Sequence, residues 1–110
     1  MADYLLQLSY SATAWAAMVK RPENRAEAVR KSIEKLGGKI NGFWLSFGEH
    51  DVLGIVEMPD NVSAAAFAMA IAAGGACHHV KTTPLLSVDE GMAAMKKAGN
   101  VGYKPVKSKK

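Results

Sequence analysis

The sequence predicts an α+β domain built on one antiparallel sheet. A β-rich hairpin lies near the centre of the chain, and helical segments follow the first and third strands. The two halves of the chain therefore repeat the order strand–helix–strand, which is typical of an antiparallel sheet with both crossover helices on one face. We predict the ferredoxin-like βαββαβ arrangement, extended by a further helix near the C-terminus.

The central hairpin consists of the β-rich runs Lys39–Phe47 and Asp51–Glu57, joined by a connection that begins at Gly48. Aromatic and β-branched residues favour strands, and a short connection containing glycine is typical of a hairpin. Side chains alternate between the two faces of a strand, so Phe43 and Trp44 lie on opposite faces. A hairpin cannot bury its apolar face alone, so other elements must cover it.

The remaining elements follow from the spacing of apolar residues and from capping signals. Ser63 is the expected N-cap of the third helix, and Ser87 with Glu90 forms a capping-box pattern at the last one. On the fourth strand, Cys77 is expected to share a face with His79. The predicted elements are strand Asp3–Tyr10, a short helix holding Trp15 and Met18, helix Asn24–Leu36, the hairpin, helix Ser63–Ala73, strand Ala76–Leu86 and helix Val88–Ala98.

Two apolar surfaces predict self-association. Helix Ser63–Ala73 is apolar all round, which is typical of a helix buried on more than one side. The sheet face opposite the helices has no element of this chain to cover it, although it carries Leu5, Trp44, Leu53 and Ile55. We therefore expect a homo-oligomer, a dimer or larger.

Composition restricts the other partners and the location. Residues 101–110 carry four lysines and no acidic residue, and the rest of the chain contains ten basic and ten acidic residues. Because the rest of the chain is nearly neutral, a basic surface built for nucleic acid is not predicted. One cysteine, Cys77, and an acidic start without a signal-peptide pattern favour a reducing, cytoplasmic location. No run is long enough to span a membrane. We expect one domain over 1–98, followed by a lysine-rich tail over 99–110.

Four stretches taken in order carry a resemblance to a known family. They are Gly37–Trp44, Gly48–Val52, Val56–Asp60 and Val80–Leu85. Across about Asp3–Lys97 the sequence resembles the GYD domain family, although His50 stands where the family usually has tyrosine. The resemblance implies a dimeric α+β barrel, in which two sheets pack face to face. It implies no established activity, since similar folds include cofactor-free monooxygenases, isomerases, haem-degrading enzymes and ligand sensors.

Strand alternation predicts which residues line the uncovered sheet face. An acid, an imidazole and an ammonium beside an aromatic wall suit a small polar-aromatic ligand, and can move a proton. Glu57 is the foremost acid/base candidate, but an ion pair with Lys81 or contact with solvent at the strand end explains it more simply. The predicted ligand-binding residues are Gln7, Ser9, Trp44, Ser46 and Lys81, and the acid/base candidates are Glu57, His79, His50 and Asp51.

His50 and Asp51 lie side by side in the hairpin connection. An aspartate can bond backbone N–H groups of its own turn, which explains Asp51 without catalysis, although an adjacent histidine can act as an oriented base. The adjacent His78 and His79 point to opposite faces of a strand and cannot bind one metal together. No metal and no cofactor is predicted.

Three functions stay open on the sequence. The first is binding of a small ligand, in a pocket between helices and sheet or between subunits. The second is a small cofactor-independent enzyme that uses Glu57 or His79 as acid or base. The third is an assembly module whose open sheet face is filled by its partner and which has no ligand pocket.

Overall fold

The computed structural model describes residues 1–107, and residues 108–110 of the predicted lysine tail lie outside the described part. All predicted elements are present, with ends that differ from the predicted ones by at most two residues. The strands are β1 (Ala2–Tyr10), β2 (Lys39–Leu45), β3 (Val52–Met58) and β4 (Cys77–Leu85), and the helices are α1 (Ala12–Lys20), α2 (Arg25–Lys35), α3 (Asn61–Gly74) and α4 (Val88–Gly99).

The four strands form one antiparallel sheet in the order β2-β3-β1-β4. The two central strands are the first and third, and the connections that contain α1, α2 and α3 lead to the outer strands. This is the ferredoxin-like order, so the predicted α+β fold is confirmed. No helix within residues 1–107 has the length and apolar character needed to cross a membrane.

The core lies between one face of the sheet and the helices α2 and α3. Tyr4 and Leu6 of β1 pack with Ile33 of α2 and Phe67 of α3, and all four are almost fully buried. Ile33 falls on the apolar stripe that the helical spacing predicts for α2. The strong amphipathic pattern of α2 therefore fixes which side of this helix meets the sheet.

Helix α1 covers the sheet less closely than α2 and α3 do. Its residues Ala14 and Met18 contact a smaller core cluster around Leu8 and Tyr10, but none of its residues is buried. Of these two contacting residues Ala14 is small, which leaves Met18 as the larger side chain between α1 and this part of the sheet. The consequence is a cavity beneath this helix.

Two local predictions are wrong. Asp60, not Ser63, is the N-cap of α3, and its carboxylate accepts a hydrogen bond of 2.7 Å from the Ser63 N–H. That hydrogen bond holds the pKa of Asp60 below its ordinary value. A carboxylate is favoured here because the first turn of a helix presents free N–H groups and positive charge.

The second error concerns the fourth strand. Ser9 pairs with His79, but the next residue, Tyr10, pairs with Cys77, so His78 is the extra residue of a β-bulge. The bulge changes the phase of the strand, and Cys77 packs against the core cluster of Leu8 and Tyr10. Cys77 therefore faces the helices and does not share the open face with His79.

Candidate functional site

A cavity of about 470 Å³ opens between α1, the start of α2 and the end of β2. This volume falls within the range of roughly 300 to 1,000 Å³ that is usual for small-molecule sites. Its walls are mainly aromatic and aliphatic. The side chains that matter most below are Tyr10, Trp15, Met18, Arg25, Phe43 and Leu45.

Asp51 holds the aromatic wall of this cavity in place. Its carboxylate accepts hydrogen bonds from the backbone N–H of Tyr10 at 2.8 Å and from Nε1 of Trp15 at 3.1 Å. The two rings meet edge to face, with centroids 5.4 Å apart. The sequence predicted that Asp51 bonds its own turn, whereas it joins the hairpin connection to the β1–α1 junction. Its contacts are long-range, so turn chemistry does not account for them.

Arg25 is the one basic residue among those that line the cavity. Its Nη1 lies 3.3 Å from Oε1 of Glu23, and both side chains are well exposed. An exposed pair of this kind contributes little stability, so a ligand can displace it. A smaller cavity of about 230 Å³ reaches Cys77 and Ile71 and is also lined by Tyr10 and Arg25. These two polar residues therefore lie where the two cavities meet.

Burial governs the protonation of the neighbouring Tyr10 and Cys77. Burial raises the pKa of the Tyr10 hydroxyl above its ordinary value, and the Arg25 charge opposes part of this rise. Burial likewise raises the pKa of the Cys77 thiol, again opposed by Arg25. At neutral pH both groups are therefore protonated. Tyr10 is a hydrogen-bond donor, and Cys77 lacks the thiolate that a nucleophilic cysteine requires.

The register of the sheet brings the residues predicted for the open face together in rows. Trp44 pairs with Leu53, Leu53 with Gln7, and Gln7 with Lys81, so this row crosses all four strands. The indole of Trp44 lies over Gly42, where an added Cβ would overlap with the ring. Three strand spacings, about 14 Å, separate the backbones at Trp44 and Lys81. Ligand binding by this row stays a prediction.

A second group on this face surrounds His50. Its ring stacks on that of His79 with centroids 5.4 Å apart, and the His50 side chain is only 11% exposed. The Oγ of the buried Ser9 donates to the carbonyl oxygen of Glu49 at 3.3 Å and lies 3.4 Å from Nδ1 of His50. The hydroxyl of Ser46 donates to the backbone oxygen of His50. Both serine hydroxyls thus bond the hairpin connection.

Glu57 lies far from this histidine pair. Its carboxylate accepts a hydrogen bond of 2.9 Å from Nδ2 of Asn41 in an exposed position. Of the two partners expected for Glu57, Lys81 and solvent, Lys81 is therefore wrong. The adjacent strand β2 offers the nearer partner, whereas Lys81 lies opposite Gln7.

Register also separates the two acid/base candidates. Glu57 pairs with Asp3 and His79 with Ser9, and these partners lie six residues apart on β1, roughly 20 Å. Glu57 and His79 therefore do not act on one small molecule in the same chain. Within residues 1–107 no three His, Cys, Asp or Glu side chains are grouped so that they hold a metal.

Comparison with protein-family models gives a match to the GYD domain over residues 4–95. The chain belongs to the GYD domain family. The match spans most of the chain and confirms the resemblance that the hairpin and its flanking stretches indicate. A search of curated proteins found no significant match. The GYD match includes every residue named above as lining the two cavities.

The site residues predicted from the sequence and the cavity of this GYD domain lie on different faces of the sheet. The predicted ligand-binding residues lie on the open face, whereas the cavity lies on the helix side. Trp15 was predicted only as a residue of a short helix, and Arg25 was not among the predicted site residues. One signal is visible in the sequence, namely that α1 combines Trp15 and Met18 with many alanines just before Pro22 and Arg25. In this structure the helix has no buried residue, and the cavity lies beside it.

Proposed function

We propose that this GYD domain binds a small, mainly apolar ligand that carries one anionic group. The observation that carries the proposal is the cavity of about 470 Å³, which joins aromatic walls to a single guanidinium, that of Arg25. The one acidic residue of the lining, Glu23, is the exposed ion-pair partner that the anionic group of the ligand would displace. Apolar walls with a few convergent polar groups are the usual features of a small-molecule site. The cavity also supports ligand binding over an assembly module without a pocket.

Arg25 favours an anion, and in particular a carboxylate. The guanidinium is planar and its N–H groups match the two oxygens of a carboxylate, so a bidentate pair forms readily. Tyr10 lines the same two cavities and keeps its proton at neutral pH, because its ordinary pKa is 10.0 and burial raises it further. A protonated hydroxyl adds a second donor for the same anion. No other charged donor competes among the lining residues.

The apolar body of the ligand is expected to lie against Trp15, Met18, Phe43 and Leu45. Each of these side chains offers apolar surface, and removing such surface from water contributes roughly 25 cal/mol per Å². The aromatic edge of the Tyr10–Trp15 pair also suits stacking with a ring. An aryl or medium-chain carboxylate combines these features.

The test compares a charged probe with its neutral analogue. Isothermal titration calorimetry is carried out with 3-phenylpropanoate and with 3-phenylpropanol on the wild type and on Arg25→Gln. Hydrogen bonds to a charged group contribute about 1.5–3 kcal/mol, so the substitution is expected to weaken binding of the carboxylate roughly 10- to 100-fold. Binding of the alcohol is expected to stay unchanged.

Arg30→Gln is the matched control. Arg30 lies on the same helix and pairs with Glu27 at 3.6 Å in an exposed ion pair, but it does not line the cavity. Its substitution removes the same charge and is expected to change the affinity for 3-phenylpropanoate by less than about twofold, as expected for an exposed pair. Equal weakening by both substitutions, or no binding of either probe to the wild type, would contradict the proposal.

A further inference from the structure

The smaller cavity of about 230 Å³ lies beside the proposed anion site and has an apolar floor. Leu8 of β1 and Val29 of α2 line it and are only 2% and 6% exposed. Ile71 of α3 adds a half-buried aliphatic side chain, and Cys77 adds a thiol that behaves as a small apolar group. Of the described residues that line this cavity, only Arg25 carries a charge. The interior therefore suits an apolar group.

Small residues leave the mouth of the smaller cavity open. Ala70 and Gly74 near the end of α3, and Ala76 just before β4, line it and are exposed. A Cβ added to Gly74 would meet no heavy atom within 4 Å, which shows that there is room at this point. The backbone beside the mouth is tied to α1, because the N–H of its N-cap Ser11 donates a hydrogen bond of 2.8 Å to the carbonyl oxygen of Ala76. The mouth is therefore open in the folded chain as it stands.

The volume of the smaller cavity is sufficient for a branched alkyl group. An apolar cavity of about 150 Å³ is large enough to bind benzene, a ring of six carbons. An isobutyl group has four carbons, so a cavity of about 230 Å³ holds it. Tyr10 and Arg25 line both cavities, so a carboxylate bound there is adjacent to the larger and to the smaller cavity at once. The carbon next to that carboxylate can therefore carry two apolar substituents, one for each cavity.

We propose that the smaller cavity is a second subsite for the same ligand, and that it binds a branched alkyl substituent on the carbon next to the carboxylate. This inference rests on the proposed function, because the carboxylate at Arg25 places that carbon between the two cavities. The larger cavity binds the aryl part of the ligand against Trp15 and Phe43. The ligand class is therefore a carboxylate branched at carbon 2, in preference to an unbranched aryl carboxylate.

The test compares a branched carboxylate with its unbranched parent. Isothermal titration calorimetry is carried out with 3-phenylpropanoate and with each enantiomer of 2-benzyl-4-methylpentanoate, which is the same acid with an isobutyl group on carbon 2. A buried methylene group contributes roughly fourfold in affinity, so complete burial of the isobutyl group would contribute about 200-fold. Because the mouth of the cavity is exposed, we expect the tighter enantiomer to bind at least about 10-fold more tightly than 3-phenylpropanoate.

Two variants of α3 show where the isobutyl group binds. Ala70→Leu adds three carbons at the mouth of the smaller cavity, whereas Ala72→Leu makes the same change at an exposed position that lines neither cavity. Leucine favours helices, and neither position is buried, so both variants are expected to fold. We expect Ala70→Leu to remove most of the gain from the isobutyl group and Ala72→Leu to keep it. Both variants are expected to bind 3-phenylpropanoate within about twofold of the wild type, which also shows that they are folded.

The outcomes separate this inference from the proposed function. If 3-phenylpropanoate binds in an Arg25-dependent manner but neither enantiomer of the branched acid binds more tightly, the second subsite is refuted and the proposed function stands. A gain that Ala70→Leu and Ala72→Leu reduce equally, or that neither of them reduces, would also overturn the second subsite. Absence of binding of every carboxylate to the wild type would contradict the subsite and the proposed function together.

Discussion

Removal of the Asp51 carboxylate is expected to lower the free energy of unfolding by about 2 kcal/mol, because the two hydrogen bonds that hold the cavity wall are lost. In Asp51→Ala the backbone N–H of Tyr10, a residue only 8% exposed, loses its acceptor. A buried donor without a partner costs about 1–3 kcal/mol. The Trp15 indole N–H loses the same acceptor, but Trp15 is 36% exposed and its N–H can turn to water, so its loss adds only a few tenths.

Thermal and urea unfolding at one fixed protein concentration measure this loss. For a domain of about this size, 2 kcal/mol corresponds to a decrease in Tm of roughly 8–16 °C. Asp51→Asn keeps one carbonyl oxygen as an acceptor and is expected to lose about half as much. Binding of 3-phenylpropanoate weakens in Asp51→Ala as well, because Trp15 is no longer held against Tyr10.

The control for this prediction is the adjacent residue. The Glu49 side chain is 91% exposed and comes only within 4.0 Å of His50, so Glu49→Ala is expected to change stability by less than about 0.5 kcal/mol. If Asp51→Ala matched Glu49→Ala in stability, the two hydrogen bonds would not hold the wall, and the reasoning above would be refuted.

Two further predictions concern packing and pH. In Gly38→Ala the new Cβ would lie 2.5 Å from Sδ of Met58 and 2.6 Å from a backbone oxygen of β3. Urea unfolding is therefore expected to show a loss of about 1–3 kcal/mol in the free energy of unfolding. Gly48 has open space around it, so Gly48→Ala is expected to show almost no loss. The pKa values of Tyr10 and Cys77 are raised in the folded state above their ordinary 10.0 and 9.0, so the unfolded chain releases these protons first. Stability is therefore unaffected below about pH 9 and decreases as the pH rises further, and Tyr10→Phe with Cys77→Ala should flatten that decrease. An equal decrease in this double variant would contradict the assignment.

The fold was predictable because local patterns specify it. The alternation along β1 identifies the buried side chains Tyr4, Leu6 and Leu8, and the spacing of Val29 and Ile33 on α2 gives the matching helix face. The capping box at Ser87 gives the start of α4. Each of these signals depends on residues close in sequence, and so they are visible without coordinates.

The candidate site was less predictable because it depends on how elements pack. The cavity exists because the alanine-rich α1 is held above the sheet by Asp51, which lies 36 residues from Trp15 in sequence. No periodicity indicates that contact. The bulge at His78 likewise results from pairing with β1 and changes which side of the sheet Cys77 faces. Apart from Cys77, alternation placed the residues of the open face correctly, but it does not indicate where a cavity forms.

The two tryptophans of the chain allow the central claim, that a ligand enters the cavity beneath α1, to be tested directly. Trp15 lines the cavity, whereas Trp44 lies on the open sheet face. In Trp44→Phe the remaining indole reports on the cavity alone, and in Trp15→Phe it reports on the open face alone. Titration with 3-phenylpropanoate is expected to change the emission of Trp15, with the dissociation constant found by calorimetry, and to leave Trp44 unchanged. A response from Trp44 with none from Trp15 would place the ligand on the open face and contradict the account.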